Sequence, residues 1–442
     1  MKLTRRHLLV GMGAALLSPS AHAQSLDGGA LGLVRDSADD QSATLEAAMN
    51  QAVANGRPLF IPSGVYRVGN LLAPSGLRMH GVPGRSMLTS AGTGPVLRLS
   101  GSAQISLQNL GFVGATEDGA AADGLVVIDA SSDIAIEGCS FVGGNGHGIA
   151  IRDAAARISG SSFSGHGLAA IFSLDSRGLM LTGNRISGCA NNGIQIWGSE
   201  NRHDGSIISG NAISQIGWRN GGNGQNGNGI NIFRADDVVV ANNQISDCAF
   251  TAVRLNSTNN VTVSGNVCRT SGEVAIFSEF AFSGSVISGN VIDGAATGIS
   301  VTNLDSGGHL AVVTGNIVRN ITARSEVNPD TRPVGIFAEA ETVVSDNVVE
   351  NVPGVGILAG WGSFLRNVSV TDNVLYAVHV GIAVSVAEKP GPVRVAGNLI
   401  SDPLDHGIIG MAWLDIASDD LVRDAAKYPH VSLEDNVIAR LE

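Results

Sequence analysis

The sequence predicts an all-β protein built as a solenoid of stacked repeats. The repeating unit is a GIxI-like strand, a short loop and a turn that contains an asparagine. Five such asparagines are spaced 32, 23, 24 and 26 residues apart: Asn211, Asn243, Asn266, Asn290 and Asn316. The 58 glycines of the chain recur at the turns. A unit of roughly 25 residues is too small to bury its own apolar face, so such units stack on one another with parallel strands.

The first 23 residues have the pattern of an export signal. Arg5 and Arg6 precede an apolar segment that runs to Leu17, and residues 21–23, Ala-His-Ala, fit a small-x-small cleavage site. The apolar segment is shorter than the roughly 20 residues that a membrane span needs. We therefore expect a twin-arginine signal peptide at residues 1–23, and a mature protein without a membrane span in the periplasm or outside the cell.

Residues 24–57 form the predicted lead-in and cap. The segment from Ser42 to Ala54 carries apolar residues at helical spacing, and Gly56 follows as a stop signal. We expect this helix to cover the open N-terminal end of the solenoid, which otherwise exposes core residues and an unpaired strand edge.

The repeats occupy residues 58–442, and their opening resembles a known superfamily. Residues 59–68, LFIPSGVYRV, predict two strands around a Pro-Gly turn. A helix followed by IPxGxY resembles the start of pectin-lyase-like proteins. The resemblance implies a single right-handed parallel β-helix and an association with carbohydrates. Counting the turn motifs gives about 13 rungs.

Several phrases further along resemble a narrower family. They are NGQNGNGINIFRA (223–235), GEVAIFSEFAFSG (272–284), GGHLAVVTGNIVRN (307–320) and GWGSFLRNV (360–368). Behind the twin-arginine leader, these phrases resemble the uncharacterised twin-arginine-translocated repeat proteins. The resemblance covers nearly the whole chain and implies a β-helix and export, without a known activity.

Packing explains the turn asparagines and the four cysteines. Asparagine tolerates a left-handed bend between strands, and stacked amides can hydrogen-bond from rung to rung. Cys139 takes such an asparagine position. Cys189 and Cys248 share a turn offset two rungs apart, about 10 Å at the usual strand spacing. Because that distance is too long for a disulfide, we expect four free thiols, mostly packed.

Two segments interrupt the later repeats. Ser418 to Lys427 predicts a short helix with Ser418 as its N-cap, acidic residues in its first turn and Pro429 just beyond its end. Residues 322–333 are polar and contain proline, so we interpret them as an excursion over the surface.

The charge balance excludes some partners. The chain has 27 Lys and Arg against 39 Asp and Glu, a formal net charge of −12. Loss of residues 1–23 removes three basic residues and no acidic ones, which leaves a net charge of −15. Nucleic acids and anionic membranes need a basic footprint, so we expect neither as a partner.

Aligning the repeats places outward-facing side chains in columns. The first predicted column contains Gln195, Asn231, Arg254 and Ser300, with Ala275 between the last two. Two positions further along each strand, the second predicted column contains Trp197, Phe233, Asn256, Phe277, Thr302 and Glu339. Polar columns occur on an ordinary solvated face as well as in a binding groove.

Loops beside the middle rungs favour a sugar-binding groove. Residues 198–205 and 216–228 are rich in amides, Trp and Arg, which bond hydroxyls or carboxylates and stack on pyranose rings. We expect the protein to bind or process a polysaccharide or oligosaccharide there. The candidate substrate-binding residues are Gln195, Trp218, Asn231, Arg234, Asn303 and Trp361. The alternative is a non-catalytic periplasmic scaffold that presents this face to another protein.

Two carboxylates and one arginine are candidates for catalysis. Glu273 and Glu279 bracket a strand next to the rung of Arg254, and could serve as an acid and base pair. The reaction would be that of a polysaccharide lyase, a glycoside hydrolase or an epimerase-like enzyme. The simpler interpretation is structural, with Glu279 paired to Arg254 or Arg234. Under the binding hypothesis, Arg254→Ala abolishes ligand binding without unfolding the protein.

The sequence predicts no cofactor and no metal site. A zinc site needs three or four converging ligands, and a calcium loop needs a spaced run of Asp and Asn; neither pattern is evident. His147 and His166 both precede a glycine that opens a rung, so neighbouring rungs could stack them about 5 Å apart.

Overall fold

A computed structural model describes residues 24–92, 94–115, 123–222, 224–302 and 308–440. The described chain is a right-handed parallel β-solenoid of about 13 turns with two short helices, as the repeats predict. A typical turn contributes one strand to each of three faces, named A, B and C below. Alternate side chains of each strand point into the coil, so the buried Ile, Val and Leu residues form one continuous core. The predicted signal peptide lies outside the described residues.

Face A is a sheet of 16 parallel strands. In chain order they are Leu26–Asp27, Leu59–Phe60, Arg78–His80, Ala103–Gln108, Ser132–Glu137, Ala156–Ser159, Met180–Thr182, Ile207–Ser209, Val239–Ala241, Asn259–Ser264, Ser283–Ser288, His309–Thr314, Thr342–Ser345, Val368–Thr371, Val393–Ala396 and Val431–Glu434. Their inward residues are in register and fully buried, as Ile158, Leu181 and Ile208 illustrate.

Faces B and C belong to a second sheet of 26 strands. Four long strands contribute to both faces and join them: Val267–Glu279, Val291–Thr302, Val348–Ala359 and Val374–Ser385. The pairing register shifts part-way along these strands, between Ser271 and Val274 in the first and between Val352 and Val355 in the third. These shifts mark the corner between the two faces.

The other strands belong to one face each. Face B contains Gly64–Val68, Ser86–Ser90, Gly111–Val113, Ser140–Val142, Ser162–Ser164, Arg185–Ser187, Ala212–Ile216, Gln244–Cys248, Ile317–Ile321, Leu399–Ser401 and Val437–Ala439. Face C contains Leu71–Leu72, Leu97–Ser100, Gly124–Asp129, His147–Arg152, Ala169–Leu174, Asn192–His203, Asn228–Asp236, Val253–Asn256, Val334–Ala338, His406–Ala412 and Asp415–Ser418. The last two strands of face C pair antiparallel as a hairpin.

A ladder of asparagines runs along the corner between faces A and B. Its members are Asn184, Asn211, Asn243, Asn266, Asn290, Asn316, Asn347, Asn373, Asn398 and Asn436. Asn266 Oδ1 accepts hydrogen bonds from the backbone N–H and the side chain of Asn243, both at 2.9 Å. The left-handed residue is the one before each asparagine, such as Gly265 with φ +64°, and not the asparagine itself. The predicted rung-to-rung bonding is present, but the bend belongs to the preceding residue.

The helix Ser42–Ala54 covers the N-terminal end of the coil, as predicted. Leu45 and Met49 on its inner face are fully buried against the core. The helix contacts the strands Leu59–Phe60 and Leu71–Leu72 of the first turn. It thereby shields core residues that an open solenoid end exposes.

The predicted C-terminal helix is shorter than expected. The α-helix spans Leu421–Asp424, and a 3₁₀ turn at Ala425–Lys427 follows. Its N-cap is Asp420, whose carboxylate accepts from the Arg423 N–H at 3.0 Å, and not Ser418. Ser418 is unavailable as the cap because it ends the second strand of the face C hairpin.

The four cysteines are free and buried, as predicted. Cys139 occupies a ladder position, where its backbone N–H donates to Ser161 Oγ at 3.1 Å. Burial raises the pKa of Cys139 to about 11 and that of Cys189 and Cys268 to about 12. These thiols are therefore uncharged at neutral pH.

The predicted stacking of His147 on His166 is wrong. His147 stacks on Phe172 with ring centroids 4.7 Å apart, whereas His166 meets the edge of Phe163 at 6.2 Å. The reason is register: Ala169, and not His166, lies beside His147 and donates its N–H to His147 Nδ1 at 3.1 Å. Burial lowers the pKa of both histidines to about 4.

Candidate functional site

Face C carries the outward columns, with one rung in a different register from the prediction. The first column is Gln195, Asn231, Arg254, Phe277, Ser300, Phe337 and Leu358. The second is Trp197, Phe233, Asn256, Glu279 and Thr302, and Glu339 follows from the pairing of the residues before it. Phe277 thus replaces the predicted Ala275 in the first column, and Glu279 replaces Phe277 in the second.

The shifted rung has a polar residue on its inner side. Ser278 points inward where the two adjacent rungs carry Leu255 and Val301, and its hydroxyl hydrogen-bonds Ser285 at 2.8 Å. Ala275 occupies the position that glycine takes in most neighbouring rungs. The sequence Val-Ala-Ile-Phe at residues 274–277 matches the repeat pattern with Phe277 two positions further along the strand than the structure places it. In the structure, Phe277 lies in the first outward column.

Arg254, Glu273 and Glu279 form a buried ionic triad. Arg254 Nε and Nη2 donate to the two oxygens of Glu279 at 2.7 and 2.9 Å, and Nη1 donates to Glu273 Oε2 at 3.1 Å. The side chains of Arg254, Glu279 and Glu273 are only 8%, 5% and 3% exposed. Asn256 adds a bond to Glu279 at 2.9 Å, and the Phe277 ring lies 5.0 Å from the guanidinium carbon. The three candidate catalytic residues are thus adjacent and bonded to one another.

A glycine-rich loop covers the first column at the triad. Residues 217–222 and 224–227 pass over it, and Asn231 Nδ2 donates to the Gly224 carbonyl at 3.5 Å. Gly224 has φ +149°, and a Cβ there would overlap the Arg254 guanidinium. Gln195, Asn231 and Arg254 are buried as a result. The loop therefore lies where a ligand would contact these side chains, and their role in ligand binding stays a prediction.

Residues 322–333 do more than cross the surface, because they fold back against face C. Ser325 Oγ donates to the Gly272 carbonyl at 2.6 Å, and Asn328 Nδ2 donates to Glu273 Oε1 at 2.7 Å. These two bonds join the loop to a rung more than 50 residues earlier in the chain. The loop therefore forms a wall above the sheet.

A groove of about 730 Å³ lies between this wall and face C. Its floor is the later part of the first column: Phe277, Ser300, Phe337 and Leu358. Thr297 and Thr302 add hydroxyl groups to the lining. Phe277 and Phe337 are two rungs apart, about 10 Å at the usual strand spacing of about 4.8 Å. On the floor, the hydroxyl-bearing rung of Ser300 therefore lies between two aromatic side chains, and Leu358 follows.

Trp361 lies at the end of the groove away from the triad. Its ring is edge-to-face with Phe337 at 6.3 Å and with Trp413 at 5.8 Å. The guanidinium carbon of Arg332, on the wall, lies 5.8 Å from the centre of the Trp361 ring. Of the candidate site residues, Glu273 and Trp361 line the groove.

The remaining candidates lie elsewhere. Arg234 is exposed, and its guanidinium lies 4.8 Å from the ring centre of Phe233. Trp218 is 39% exposed and packs against Phe250 with ring centroids 5.0 Å apart. Asn303 lies outside the described residues. The structure thus brings the candidate catalytic residues together, with Gln195 and Asn231 beside them in the first column. It places Trp218, Arg234 and Trp361 at separate locations.

Neither a metal-ligand cluster nor a membrane-spanning helix occurs in the described ranges. No group of three or more His, Cys, Asp or Glu side chains there is placed to hold a metal ion. None of the helices in those ranges is both long enough and apolar enough to cross a membrane.

Comparison with family models agrees with this architecture. Residues 82–267 match the family described as periplasmic copper-binding protein (NosD), and residues 203–375 match the right handed beta helix region. The second match includes the rungs of the triad and all of the described residues that line the groove. The chain is a right-handed parallel β-helix repeat protein. No curated protein matches this β-helix protein in sequence.

Solved structures with the same coil include proteins of several kinds. The A-module of the Azotobacter vinelandii mannuronan C-5 epimerase AlgE6 is 16% identical, with 85% of this chain and 99% of that chain covered and a TM-score of 0.58. The pre-mature bacteriophage phi29 gene product 12 is 12% identical, with 88% and 55% covered and a TM-score of 0.55. A PL6 alginate lyase in complex with a trisaccharide is 14% identical, with 95% and 96% covered and a TM-score of 0.50. At these identities the likeness shows the fold alone.

Several residues of the groove were not apparent from the sequence, among them Asn328, Arg332 and Phe337. Asn328 and Arg332 belong to the loop that was interpreted as a surface excursion, and Phe337 follows it on the next rung. One signal was available: the 12-residue insertion 322–333 directly precedes the rung GIFA, whose Phe takes an outward position. A long insertion next to an outward-facing aromatic residue indicates a groove in which the insertion forms one side and the aromatic ring forms part of the floor.

Proposed function

We propose that this β-helix protein binds a polysaccharide or oligosaccharide in the groove between face C and residues 322–333. The observation that carries the proposal is the line of aromatic side chains Phe277, Phe337 and Trp361 along the groove. Aromatic faces stack on the apolar faces of pyranose rings, and the interleaved Ser and Thr hydroxyls can bond sugar hydroxyls. Two of the similar structures are a mannuronan C-5 epimerase and an alginate lyase, which supports a polysaccharide ligand for this coil.

The geometry favours binding over bond cleavage. A general acid or base needs a proton-transferring oxygen within reach of the substrate. Both oxygens of Glu279 are bonded to Arg254, and those of Glu273 accept from Arg254 and Asn328. Each carboxylate therefore positions its neighbours, and Glu273 contributes to the groove as part of its rim.

We place this activity in the periplasm. Residues 82–267 match a family described as periplasmic, and Arg5 and Arg6 head an export signal of the twin-arginine type. If that route is used, replacing both arginines by lysine keeps the protein in the cytoplasm. Cell fractionation measures the outcome.

We do not propose copper binding for this protein, although the matched family is described as copper-binding. A copper site needs converging imidazole, thiolate or thioether ligands. The described part of the chain contains no group of three or more suitable His, Cys, Asp or Glu side chains. Burial also raises the pKa of all four thiols, so thiolate ligands are disfavoured.

The test is glycan binding by the purified mature protein, residues 24–442, with and without calcium. We expect a hit on a broad glycan array, and we expect Trp361→Ala to weaken binding about tenfold or more, equivalent to about 1.4 kcal/mol. Trp218→Ala is the matched control, because Trp218 is also a partly exposed tryptophan but lies on another loop. Its affinity should equal that of the unaltered protein.

Two results would contradict the proposal. One is an array without any hit from protein shown to be folded by circular dichroism. The other is a hit that Trp218→Ala abolishes and Trp361→Ala leaves intact, which would place the ligand on the earlier rungs. The first result would favour a scaffold that binds another envelope protein.

A further inference from the structure

We propose that the ligand of the groove is an uncharged glycan and not a polyuronate. The inference rests on the proposed function and specifies the substrate class of the same site. It distinguishes this groove from the mannuronan C-5 epimerase and the alginate lyase to which the coil is similar. The evidence is the distribution of charge around the groove.

The buried arginine is unavailable to a carboxylate on the ligand. Each of the three guanidinium nitrogens of Arg254 already donates to a carboxylate, at 2.7 to 3.1 Å. Gly224 lies against the guanidinium from above, so no ligand atom can approach from that side. With two carboxylates and one guanidinium, the triad has a formal charge of −1. It therefore repels an anionic sugar at the inner end of the groove.

The other charges of the lining do not reverse this sign. Among the described residues, the charged side chains that line the groove are Glu273, Asp330 and Arg332, with a formal sum of −1. Arg332 lies over the Trp361 ring at the outer end, and Asp330 is two residues away on the same wall. A polyuronate carries one carboxylate on every sugar and needs a cation beside each of them. The described lining offers one arginine and two carboxylates, so most of the ligand's carboxylates would have no cationic partner there.

The uncharged groups of the lining suit hydroxyls and apolar ring faces. Thr297 donates its hydroxyl to the Arg332 carbonyl at 2.6 Å, so its remaining capacity is that of an acceptor for a sugar hydroxyl. Ser300 and Thr302, further along the same strand, add two more hydroxyl groups to the lining. Phe277 and Phe337 lie on the rungs to either side of Ser300. A chain of neutral pyranoses meets both requirements at once.

The experiment compares two sets of oligosaccharides of equal length by titration calorimetry at low ionic strength. One set contains glucose and mannose oligomers of several linkages, and the other contains mannuronate, guluronate and galacturonate oligomers. We expect at least one neutral oligomer to bind about tenfold or more tightly than any uronate. We also expect its affinity to be unchanged at high ionic strength, where charge effects are screened.

An exposed carboxylate supplies a second readout that does not risk folding. Asp330→Lys should raise uronate affinity by about threefold or more at low ionic strength, and this gain should disappear at high ionic strength, where charge effects are screened. A uronate that binds more tightly than every neutral oligomer would overturn this inference and leave the binding function standing. Failure of both sets to bind to the folded protein would overturn the proposed function itself, and this inference with it.

Discussion

Replacing Arg254 by alanine should destabilise the β-helix strongly, contrary to the expectation from sequence that the variant loses only binding. The side chains of Glu279 and Glu273 are 5% and 3% exposed, so the variant leaves two buried carboxylates without their cation. Removing one partner of a buried pair costs about 3–5 kcal/mol. The hydrogen bonds from Asn256 and Asn328 remain, but they do not supply the missing positive charge.

The assay is denaturant unfolding followed by circular dichroism, with the free energy obtained from the midpoint and slope. Arg319→Ala is the matched control, since Arg319 also makes two bonds to one carboxylate, that of Asp293, at 2.9 and 3.2 Å. That pair is 44% and 28% exposed, and an exposed pair contributes about 0–1 kcal/mol. Adding Glu279→Gln to Arg254→Ala should recover about 1 kcal/mol or more, because it removes one unpaired charge.

The reasoning would be refuted if Arg254→Ala cost no more than Arg319→Ala. That result would mean that water reaches the two carboxylates in the variant, or that the loop of Gly224 moves aside readily. A double variant less stable than Arg254→Ala alone would also refute it, since the charge argument requires the second change to compensate.

Three further predictions concern the core. Asn290→Ala should cost at least about 2 kcal/mol in denaturant unfolding, because the buried Val263 carbonyl and the buried Asn266 N–H each lose a partner at about 1–3 kcal/mol. Asn55→Ala, which removes an exposed amide bond to the Gln51 carbonyl, should cost under about 1 kcal/mol. Burial lowers the pKa of His166 from 6.5 to about 4, so its neutral form contributes stability above pH 6.5 that is lost as the pH falls towards 4. The midpoint of denaturant unfolding should therefore drop less for His166→Gln than for the unaltered protein between neutral pH and about pH 4.5. An equal drop would contradict this prediction. The four buried thiols should resist a thiol reagent at about pH 8 and react after unfolding, and rapid labelling of the folded protein would show that the core opens.

The features predicted correctly from sequence are those set by neighbouring residues. The turn phrase repeats with an asparagine at a fixed place in each turn, and one repeat stacks on the next, so the ladder and the parallel coil follow from local pattern. The helix Ser42–Ala54 likewise follows from its own spacing of apolar residues. Cys139 could be placed on the ladder because its turn matches the others in length.

The features that sequence did not reveal depend on contacts between distant segments. The bond from Asn328 to Glu273 joins residues 55 apart, and a polar loop that makes such a bond has the same composition as one that is solvated. The register at Phe277 requires the Ser278 hydroxyl to have a hydrogen-bond partner inside the coil. Ser285 on the next face provides that partner, and the local sequence does not reveal it. The column of Gln195 is polar because a loop of the same chain packs on it, and composition alone does not distinguish that partner from a sugar.

The spacing between paired strands has a consequence for synthesis of the chain. Parallel partners on successive turns are separated by as few as 20 residues, as for Leu59 and Met79, and by as many as 38, as for Leu399 and Val437. A new turn can therefore pair as soon as a few tens of residues have left the ribosome, with the helix-capped first turn as its template. Growth then proceeds from one end, and a partly made chain presents a single unpaired edge at its advancing front.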